Sequence, residues 1–239
     1  MIDANKNIVI ERIFSVYNKH ILKKHFYKIH IKGTNNVLYR DKSLPTIMFG
    51  NHSNWWDGFL AFYLSFDLWK KDQYLMMDIK QMRKYKFFKW IGAFSVNRES
   101  ARESYKSIVY AANLLKSRNT MLWIYPQGEM LPNDIRPLMF QNGLSKLLEM
   151  TGKVNLFPIA FNYEFMMEQR PEVFINVSEN IMVDEKLTKQ KKTAYLNKVL
   201  TALLDNQKKN VVDGNLEEYK EILRGKNSRN KIIDRVYNE

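Results

Sequence analysis

Residues 46 to 57 decide how this chain is organised, and they run Thr46-Ile47-Met48-Phe49-Gly50-Asn51-His52-Ser53-Asn54-Trp55-Trp56-Asp57. The apolar run at 46–49 predicts a buried strand that ends at Gly50. The strongly apolar run at 58–69 predicts a helix, so the polar residues between the two form a turn. That turn contains His52, with Asp57 five residues further along.

Short apolar runs alternate with helical patterns in the rest of the chain. Such alternation predicts an α/β fold with a mostly parallel sheet flanked by helices. Ligands of such sheets usually bind at the carboxyl ends of the strands. Further strands are predicted at 74–77, 94–96, 120–125, 154–161 and 173–183, and helices at 99–116, 141–150 and 188–206.

The two ends of the chain differ from this central domain, which we place at residues 41–185. Residues 1–40 form a basic N-terminal segment with an amphipathic helix predicted over 7–30. That helix is either an ordinary packed helix with a solvated basic face or a helix lying on an anionic membrane surface. Residues 186–239 are predicted to form a helical C-terminal extension, with further helices at 213–225 and 228–237. The apolar positions of the first helix are Ile10, Ile13, Phe14, Tyr17 and Ile21.

The charge of the chain implies an anionic partner. The 239 residues include 38 Lys and Arg against 25 Asp and Glu, a net charge of +13. Most of this excess comes from residues 1–40, with eight basic and two acidic side chains, and from 69–106, with ten and four. Composition alone leaves nucleic acid, an anionic lipid surface and an acidic carrier protein open.

Several classes of site are excluded by composition. The chain has no cysteine, so it has no disulfide, thiolate metal site or cysteine nucleophile. Its single histidine beyond residue 30 and its scattered carboxylates form no metal-ligand cluster, so we expect no metal. No apolar run approaches the roughly 18–20 residues that span a bilayer, and no secretory signal is visible. We therefore expect a cytoplasmic protein.

His52 and Asp57 have the chemistry of a general-base pair. A carboxylate on one imidazole nitrogen orients the ring, and the other nitrogen can then take a proton from an alcohol. Five residues on an ideal helix would not place both side chains on one face. The pair can meet only if the stretch is a turn that leads into a helix, with Ser53 or Asn54 as its cap.

Three other segments carry polar groups next to predicted strands. Arg98 follows the strand at 94–96, and a guanidinium is suited to phosphate or carboxylate. The loop Tyr125-Pro126-Gln127-Gly128-Glu129 follows the strand at 120–125, and Pro158 interrupts the next one. Taken alone, each has an ordinary explanation: a surface salt bridge, a plain turn and a bent core strand.

Taken in order, the four segments resemble the glycerolipid acyltransferase family, which includes the 1-acylglycerol-3-phosphate acyltransferases. The family has an Asn-His-x4-Asp block, a Gly-x5-Arg block, a Phe-Pro-Glu-Gly-Thr-Arg block and a block that ends in an apolar residue and proline. This chain keeps their order, with His52, Arg98, Pro126 and Pro158 in the corresponding blocks. The resemblance covers residues 43–163, about half of the chain.

The resemblance implies acyl transfer from a thioester to the hydroxyl of a lysophospholipid or related lipid. His52 would be the general base and Asp57 its orienting partner, with no acyl-enzyme and no bound cofactor. Acyl-CoA or acyl-carrier protein would be the co-substrate. The residues that the resemblance assigns to substrate binding are Arg98, Pro126, Gln127, Gly128, Glu129 and Arg136.

The third block departs from the family at three positions. Gln127 replaces a glutamate, Glu129 replaces a threonine and Met130 replaces an arginine. A cation beside the acceptor is therefore missing, unless Arg136 substitutes for it. A phosphate acceptor remains open, and so does a less anionic acceptor, either a lysophospholipid with a neutral headgroup or a glycosylated lipid.

The basic stretches now suggest a membrane as the partner. Residues 82–90 interleave aromatic side chains with Lys and Arg, a mixture typical of the membrane interface. We expect a peripheral enzyme on the inner face of the cell membrane, where an acidic acyl carrier protein could dock on the same surface, and no nucleic-acid partner. The alternative is a non-catalytic membrane-surface or partner-binding protein that keeps the acyltransferase fold.

Overall fold

The computed structural model of the chain describes residues 1–227. Its centre is an eight-stranded sheet with the strand order β4-β3-β5-β2-β6-β7-β1-β8. Pairing is antiparallel only between β6 and β7 and between β1 and β8, so the predicted mostly parallel α/β fold is confirmed. The strands are β1 Lys28–Lys32, β2 Thr46–Gly50, β3 Asp72–Asp78, β4 Ala93–Val96, β5 Thr120–Ile124, β6 Asn155–Glu164, β7 Glu172–Val177 and β8 Lys220–Arg224.

Helices cover both faces of the sheet. A π-helical segment, Tyr63–Leu68, continues α3, and a 3₁₀ segment, Lys86–Ile91, precedes β4. None of the helices described is both long and apolar enough to cross a bilayer. The helices are α1 Ile8–His25, α2 Thr34–Leu38, α3 Asp57–Phe62, α4 Ile79–Lys84, α5 Ala101–Leu114, α6 Gly143–Thr151 and α7 Lys189–Val212.

The core explains why the central strands are continuous apolar runs. Strand β2 lies between β5 and β6, and its successive side chains enter opposite faces of the sheet. Met48 packs in the cluster under α1 and α3, whereas Ile47 and Phe49 pack in the cluster under α5, α6 and α7. Both faces of β2 are therefore buried.

The parallel strands bring the polar turns to one edge of the sheet. Strands β2, β3, β4 and β5 all run in the same direction, so their carboxyl ends meet there. His52 follows β2, Asp78 ends β3, Arg98 follows β4, and the loop 125–129 follows β5. The fold thus assembles three of the predicted segments at one place.

The N-terminal helix is shorter than predicted, and its buried face differs. The helix ends at His25, and residues 28–32 form β1, which pairs with β7 and β8. Of the apolar positions expected to pack, Ile13 and Tyr17 are exposed. The side chains of α1 that are buried are Glu11, Phe14, Ser15, Asn18 and Leu22.

The C-terminal region contains the long helix expected, but also a strand. Helix α7 confirms the helix predicted at 188–206, and Thr188 caps its N-terminus. The helix predicted at 213–225 is wrong, because residues 220–224 form β8 along the edge of β1. The segments 1–40 and 186–239 therefore each contribute a strand to the central sheet. The helix predicted at 228–237 lies outside the described residues.

Candidate active site

The turn after β2 is closed by the carboxylate of Asp57. Its Oδ2 accepts hydrogen bonds from His52 Nδ1 at 2.8 Å, from the backbone N–H of Ser53 at 2.9 Å and from that of Asn54 at 3.0 Å. Asp57 begins α3, and no side chain caps that helix, so neither Ser53 nor Asn54 acts as the expected cap. The turn between the end of β2 and the start of α3 brings His52 and Asp57 into direct contact.

Asp57 is fully buried, and two tyrosines hold it. The hydroxyl of Tyr163, on β6, donates to Asp57 Oδ1, and the hydroxyl of Tyr125 donates to the backbone carbonyl of Asp57 at 2.9 Å. Burial, and then the charge of Asp57, raise the pKa of both tyrosines well above the usual value. Both hydroxyls therefore keep their protons and act as donors around neutral pH.

The ring and backbone of His52 are positioned by the loop after β5. The Tyr125 ring stacks on the imidazole with centroids 4.6 Å apart and planes at 16°. The Gln127 side-chain oxygen accepts the backbone N–H of His52 at 2.8 Å. This hydrogen bond needs only an acceptor oxygen. Glutamine can therefore make it as well as the glutamate that the glycerolipid acyltransferase family has at this position.

Asn51 fixes the other side of the turn to β6. Its side-chain oxygen accepts the Phe161 backbone N–H at 2.8 Å, and its amide donates to the Phe161 carbonyl at 2.9 Å. The same amide donates to Asn133 Oδ1 at 2.7 Å. These paired bonds lie just beyond the last β2–β6 register pair, Gly50 with Ile159. They keep the His52 turn attached to the sheet.

A cavity of about 380 Å³ lies at this edge of the sheet, and His52 is part of its wall. The surface that lines it is mainly apolar. Its apolar and aromatic wall comes from both faces of the sheet edge and includes Phe14, Trp55, Phe59, Phe62, Leu75, Met76, Met77, Tyr85, Phe88, Ile91, Val96, Ile108, Met130 and Leu144.

Arg98 and Gly128 meet at the polar end of this cavity. Gly128 has a positive φ of 78°, and a Cβ there would lie 3.1 Å from Arg98 Nη1. Only glycine fits this conformation and this close approach without strain. Arg98 Nε donates to Asp78 Oδ2 at 3.3 Å, and Asp78 also accepts the Lys80 N–H at the start of α4.

Four of the six residues assigned to substrate binding lie at the cavity or support it. Arg98, Pro126 and Gly128 line the cavity, and Gln127 holds the His52 backbone behind it. Glu129 is exposed and is not part of the cavity wall.

Arg136 does not occupy the place expected of it. Its guanidinium binds Asp205 of α7, with Nε to Oδ1 at 2.9 Å, and donates to the carbonyls of Asn133 and Ile135. It is absent from the cavity wall, so it does not replace the cation lost at Met130. The position of Arg136 depends on where α7 packs, and the sequence around Arg136 does not indicate this.

Some residues of the site were missed. Tyr163 lies 106 residues from Asp57 in sequence. Alternating polar and apolar residues along β6 would have shown which side chains face the site. Every side chain from 155 to 162 is buried, however, so the sequence of this strand has no clear alternation. Asp78 and Gln141 were missed because neither belongs to a recognisable motif. Residues 1–227 contain no group of three or more His, Asp or Glu side chains that could hold a metal ion.

The family of this chain follows from a match to a family model. A family model described as acyltransferase matches residues 28–162, more than half of the chain. The chain belongs to the acyltransferase family. The matched region contains β1 to β5 and most of β6, and it includes all four segments that suggested the resemblance.

Two known proteins are similar to this chain. A 1-acyl-sn-glycerol-3-phosphate acyltransferase of Streptococcus pneumoniae is 26% identical over an alignment of 164 residues, and this alignment covers 65% of this chain and 57% of that protein. The chain therefore spans less than two thirds of the length of that relative. The crystal structure of PlsC, the 1-acyl-sn-glycerophosphate acyltransferase of Thermotoga maritima, superposes with a TM-score of 0.62 at 13% identity. That match covers 83% of this chain and 79% of PlsC and establishes a shared fold.

Proposed function

We propose that the protein transfers a fatty acyl group from an acyl thioester to a hydroxyl of a lysophospholipid or related lipid, as in phospholipid biosynthesis. The observation that carries the proposal is the contact between His52 and the buried Asp57 in the wall of an apolar cavity. A cavity with this lining suits a fatty acyl chain. The name of the Streptococcus pneumoniae relative points to the same reaction class.

His52 acts as the general base in this proposal. Its Nδ1 donates to Asp57, which leaves Nε2 free to accept the proton of the acceptor hydroxyl. The acceptor oxygen attacks the thioester carbonyl and forms a tetrahedral intermediate. The intermediate collapses with cleavage of the carbon–sulfur bond, and the imidazolium returns the proton to the leaving thiolate. Buried Asp57 stabilises the transient imidazolium.

The first turn of α6 is our proposed donor for the oxyanion. Gly143 and Leu144 line the cavity, and the Asn142 side chain makes no capping bond to the helix. Unpaired N–H groups at a helix N-terminus favour negative charge. Such donors stabilise the tetrahedral oxyanion more strongly than the ground-state carbonyl. The acyl donor of the reaction is an acyl-CoA or an acylated carrier protein, and both present the same thioester.

An anionic membrane surface is the proposed partner, and α1 supports this. Three of its five buried side chains are polar, namely Glu11, Ser15 and Asn18, whereas several of its apolar side chains are exposed, which is unusual for a surface helix. Its buried Phe14 lines the cavity and lies 6.0 Å from the ring of Phe87, which is exposed. The exposed apolar face of α1, together with nearby aromatic rings, consists of Ile8, Val9, Ile13, Val16, Tyr17, Trp55, Phe87 and Trp90.

This surface would bind the cytoplasmic leaflet of the cell membrane. Lys84, Lys86 and Lys89 stand among the aromatic side chains of residues 82–90, and each basic residue near an anionic surface contributes about 1 kcal/mol. Apolar insertion and charge attraction then act on the same face. The acceptor lipid would enter the cavity from the bilayer beside it.

Replacement of His52 tests the catalytic proposal. Protein, vesicles, lysolipid and either acyl donor should give a diacyl product. His52→Ala should lower kcat by about 10²–10⁴-fold, the usual cost of losing a general base. His20→Ala, which changes an exposed histidine of α1, is the matched control and should keep its activity. Substantial turnover by His52→Ala would rule out the role of His52. No turnover by the unchanged protein with any donor or acceptor, but salt-sensitive vesicle binding, would favour the non-catalytic alternative.

A further inference from the structure

The charge balance of the polar end of the cavity differs from that of a phosphate-binding site. Among residues 1–227, Arg98 is the one Lys or Arg side chain in the cavity wall, and Asp78 is the one carboxylate. They pair with each other at 3.3 Å. The formal charge at this end is therefore balanced before any ligand enters. A phosphate monoester brings a charge of about −1.5 to −2 at pH 7 and would find no unpaired cation there.

The position that could supply a second cation holds a thioether. Met130 lines the cavity at the place where the resembled block has arginine. Arg136 is held on Asp205 and does not reach the cavity. The neighbouring Glu129 adds a carboxylate to the same loop. Because neither Met130 nor Arg136 supplies a cation to the cavity, this end has a low affinity for a dianionic headgroup.

The remaining polar groups are neutral and can both donate and accept hydrogen bonds. Gln81, Gln141 and Asn142 line the cavity. The Gln141 backbone N–H donates to the Pro126 carbonyl at 2.8 Å, which holds this residue beside the Gly128 loop. Asn142 Oδ1 accepts from Thr193 Oγ1, so its NH₂ group remains a donor. Amides beside an Arg–Asp pair match hydroxyl groups, which also donate and accept.

We propose that the acceptor has an uncharged, hydroxyl-rich headgroup, such as the sugar of a single-chain glycolipid, in place of a phosphate monoester. Hydroxyls of this headgroup bind Arg98, Asp78 and the amides at the polar end. One of the acceptor hydroxyls lies at His52 and is acylated. This inference rests on the proposed acyltransferase function and narrows its acceptor.

Competing acceptors test the inference directly. Initial rates are measured with palmitoyl-CoA and with palmitoyl carrier protein. The acceptors are a monoacylglycerol glucoside, lysophosphatidic acid and lysophosphatidylcholine with the same acyl chain. We expect kcat/KM for the glucoside to exceed that for either phospholipid by about tenfold or more, because Arg98 is already paired with Asp78 and a phosphate would have to compete with that carboxylate. An equal or greater kcat/KM for either phospholipid overturns the inference alone, whereas no turnover with any acceptor overturns the acyltransferase function as well.

A charge substitution tests the structural reason. Met130→Arg should raise the ratio of kcat/KM for lysophosphatidic acid to that for the glucoside by about tenfold, through a charge-assisted bond to phosphate. Met139→Arg is the matched control, since Met139 is exposed and outside the cavity wall, and it should leave the ratio unchanged. Equal ratios for the two variants would show that the cavity charge does not select the acceptor.

Discussion

Four hydrogen-bond donors converge on the carboxylate of Asp57, and they divide between its two oxygens. Oδ2 accepts from His52 and two backbone N–H groups, while Oδ1 accepts from Tyr163. A buried carboxylate is stable only when such donors compensate for lost hydration. The arrangement also fixes the plane of the carboxylate, and with it the direction of the bond to His52. In the proposed mechanism, Tyr163 is thus a positioning residue that acts through Asp57.

Removal of the Tyr163 hydroxyl should change the pH dependence of the reaction. In Tyr163→Phe, Asp57 Oδ1 loses a hydrogen-bond donor, so the carboxylate attracts the proton on His52 more strongly. The imidazolium form of His52 is therefore favoured. The acid limb of the kcat/KM profile should therefore move to higher pH. Activity at neutral pH should fall about tenfold, because Asp57 then orients the ring of His52 less precisely. The profile is measured from initial rates between pH 5 and pH 9.

Tyr125→Phe is the control for that profile. Its hydroxyl bonds the Asp57 backbone carbonyl, not the carboxylate, and its ring would still stack on His52. We expect no movement of the acid limb in this variant. Equal shifts in both variants, or a loss of rate without a shift in Tyr163→Phe, would mean that Tyr163 contributes packing alone.

At the scale of residues, local contacts could be predicted and distant contacts could not. His52 and Asp57 are five residues apart, and the predicted turn between a strand and a helix allowed their contact. The pair became a specific signal only as the first of four segments in a fixed order. For Arg98 and Gly128, the sequence predicted only that both follow strands that end at the same edge of the sheet. It did not predict their contact. Arg136 was misplaced because its partner, Asp205, is 69 residues away on α7. No local pattern carries information about such a pair.

At the scale of elements, strands with continuous apolar sequences were predicted more reliably than strands with alternating or charged sequences, such as β1 and β8. Strands β2 and β5 are buried on both faces and therefore appear as continuous apolar runs. Strand β8 is an edge strand with mostly exposed side chains, and its charged sequence has no strand pattern. It exists because β1 offers a free edge. The helix predicted there failed because pairing with a distant strand overrides local preference.

Helix α7 is part of the core and should be sensitive to cavity formation. Leu200 is fully buried in the cluster with Leu196, Leu204 and residues of β2 and β5. Leu200→Ala should lower the free energy of unfolding by about 2–5 kcal/mol, the usual cost of such a deletion. Denaturant unfolding followed by circular dichroism measures the change.

Val212→Ala provides the comparison for this variant. Val212 belongs to the same helix, but its side chain is exposed. Its replacement should change stability by less than about 0.5 kcal/mol, as is usual at the surface. If Leu200→Ala were as mild, α7 would be a peripheral addition to the sheet and not part of its support.

At the scale of the whole molecule, the exposed face of α1 and the cavity belong to one region. Phe14 joins them, because it contacts Phe59 and Phe62 in the interior and Phe87 towards the surface. In the proposed membrane complex, the net charge of +13 would attract the protein to an anionic bilayer at a distance, and the exposed apolar side chains would make the contact. The sequence indicated the charge, but only the packed helix reveals which side chains remain outside.

Membrane binding should depend on the apolar face of α1 more than on apolar exposure elsewhere. Ile13 and Val16 are 65% and 71% exposed. Their joint replacement by glutamine keeps the net charge and a helix-forming side chain. It should weaken binding to anionic vesicles by about tenfold or more, because burying one aliphatic side chain contributes about 1.5–3 kcal/mol. The paired replacement Met182→Gln with Val212→Gln removes two other exposed apolar side chains and should leave sedimentation with vesicles unchanged. Equal weakening by both pairs would mean that apolar contact is diffuse, whereas no weakening by either would leave charge as the sole attraction and remove α1 as the docking face.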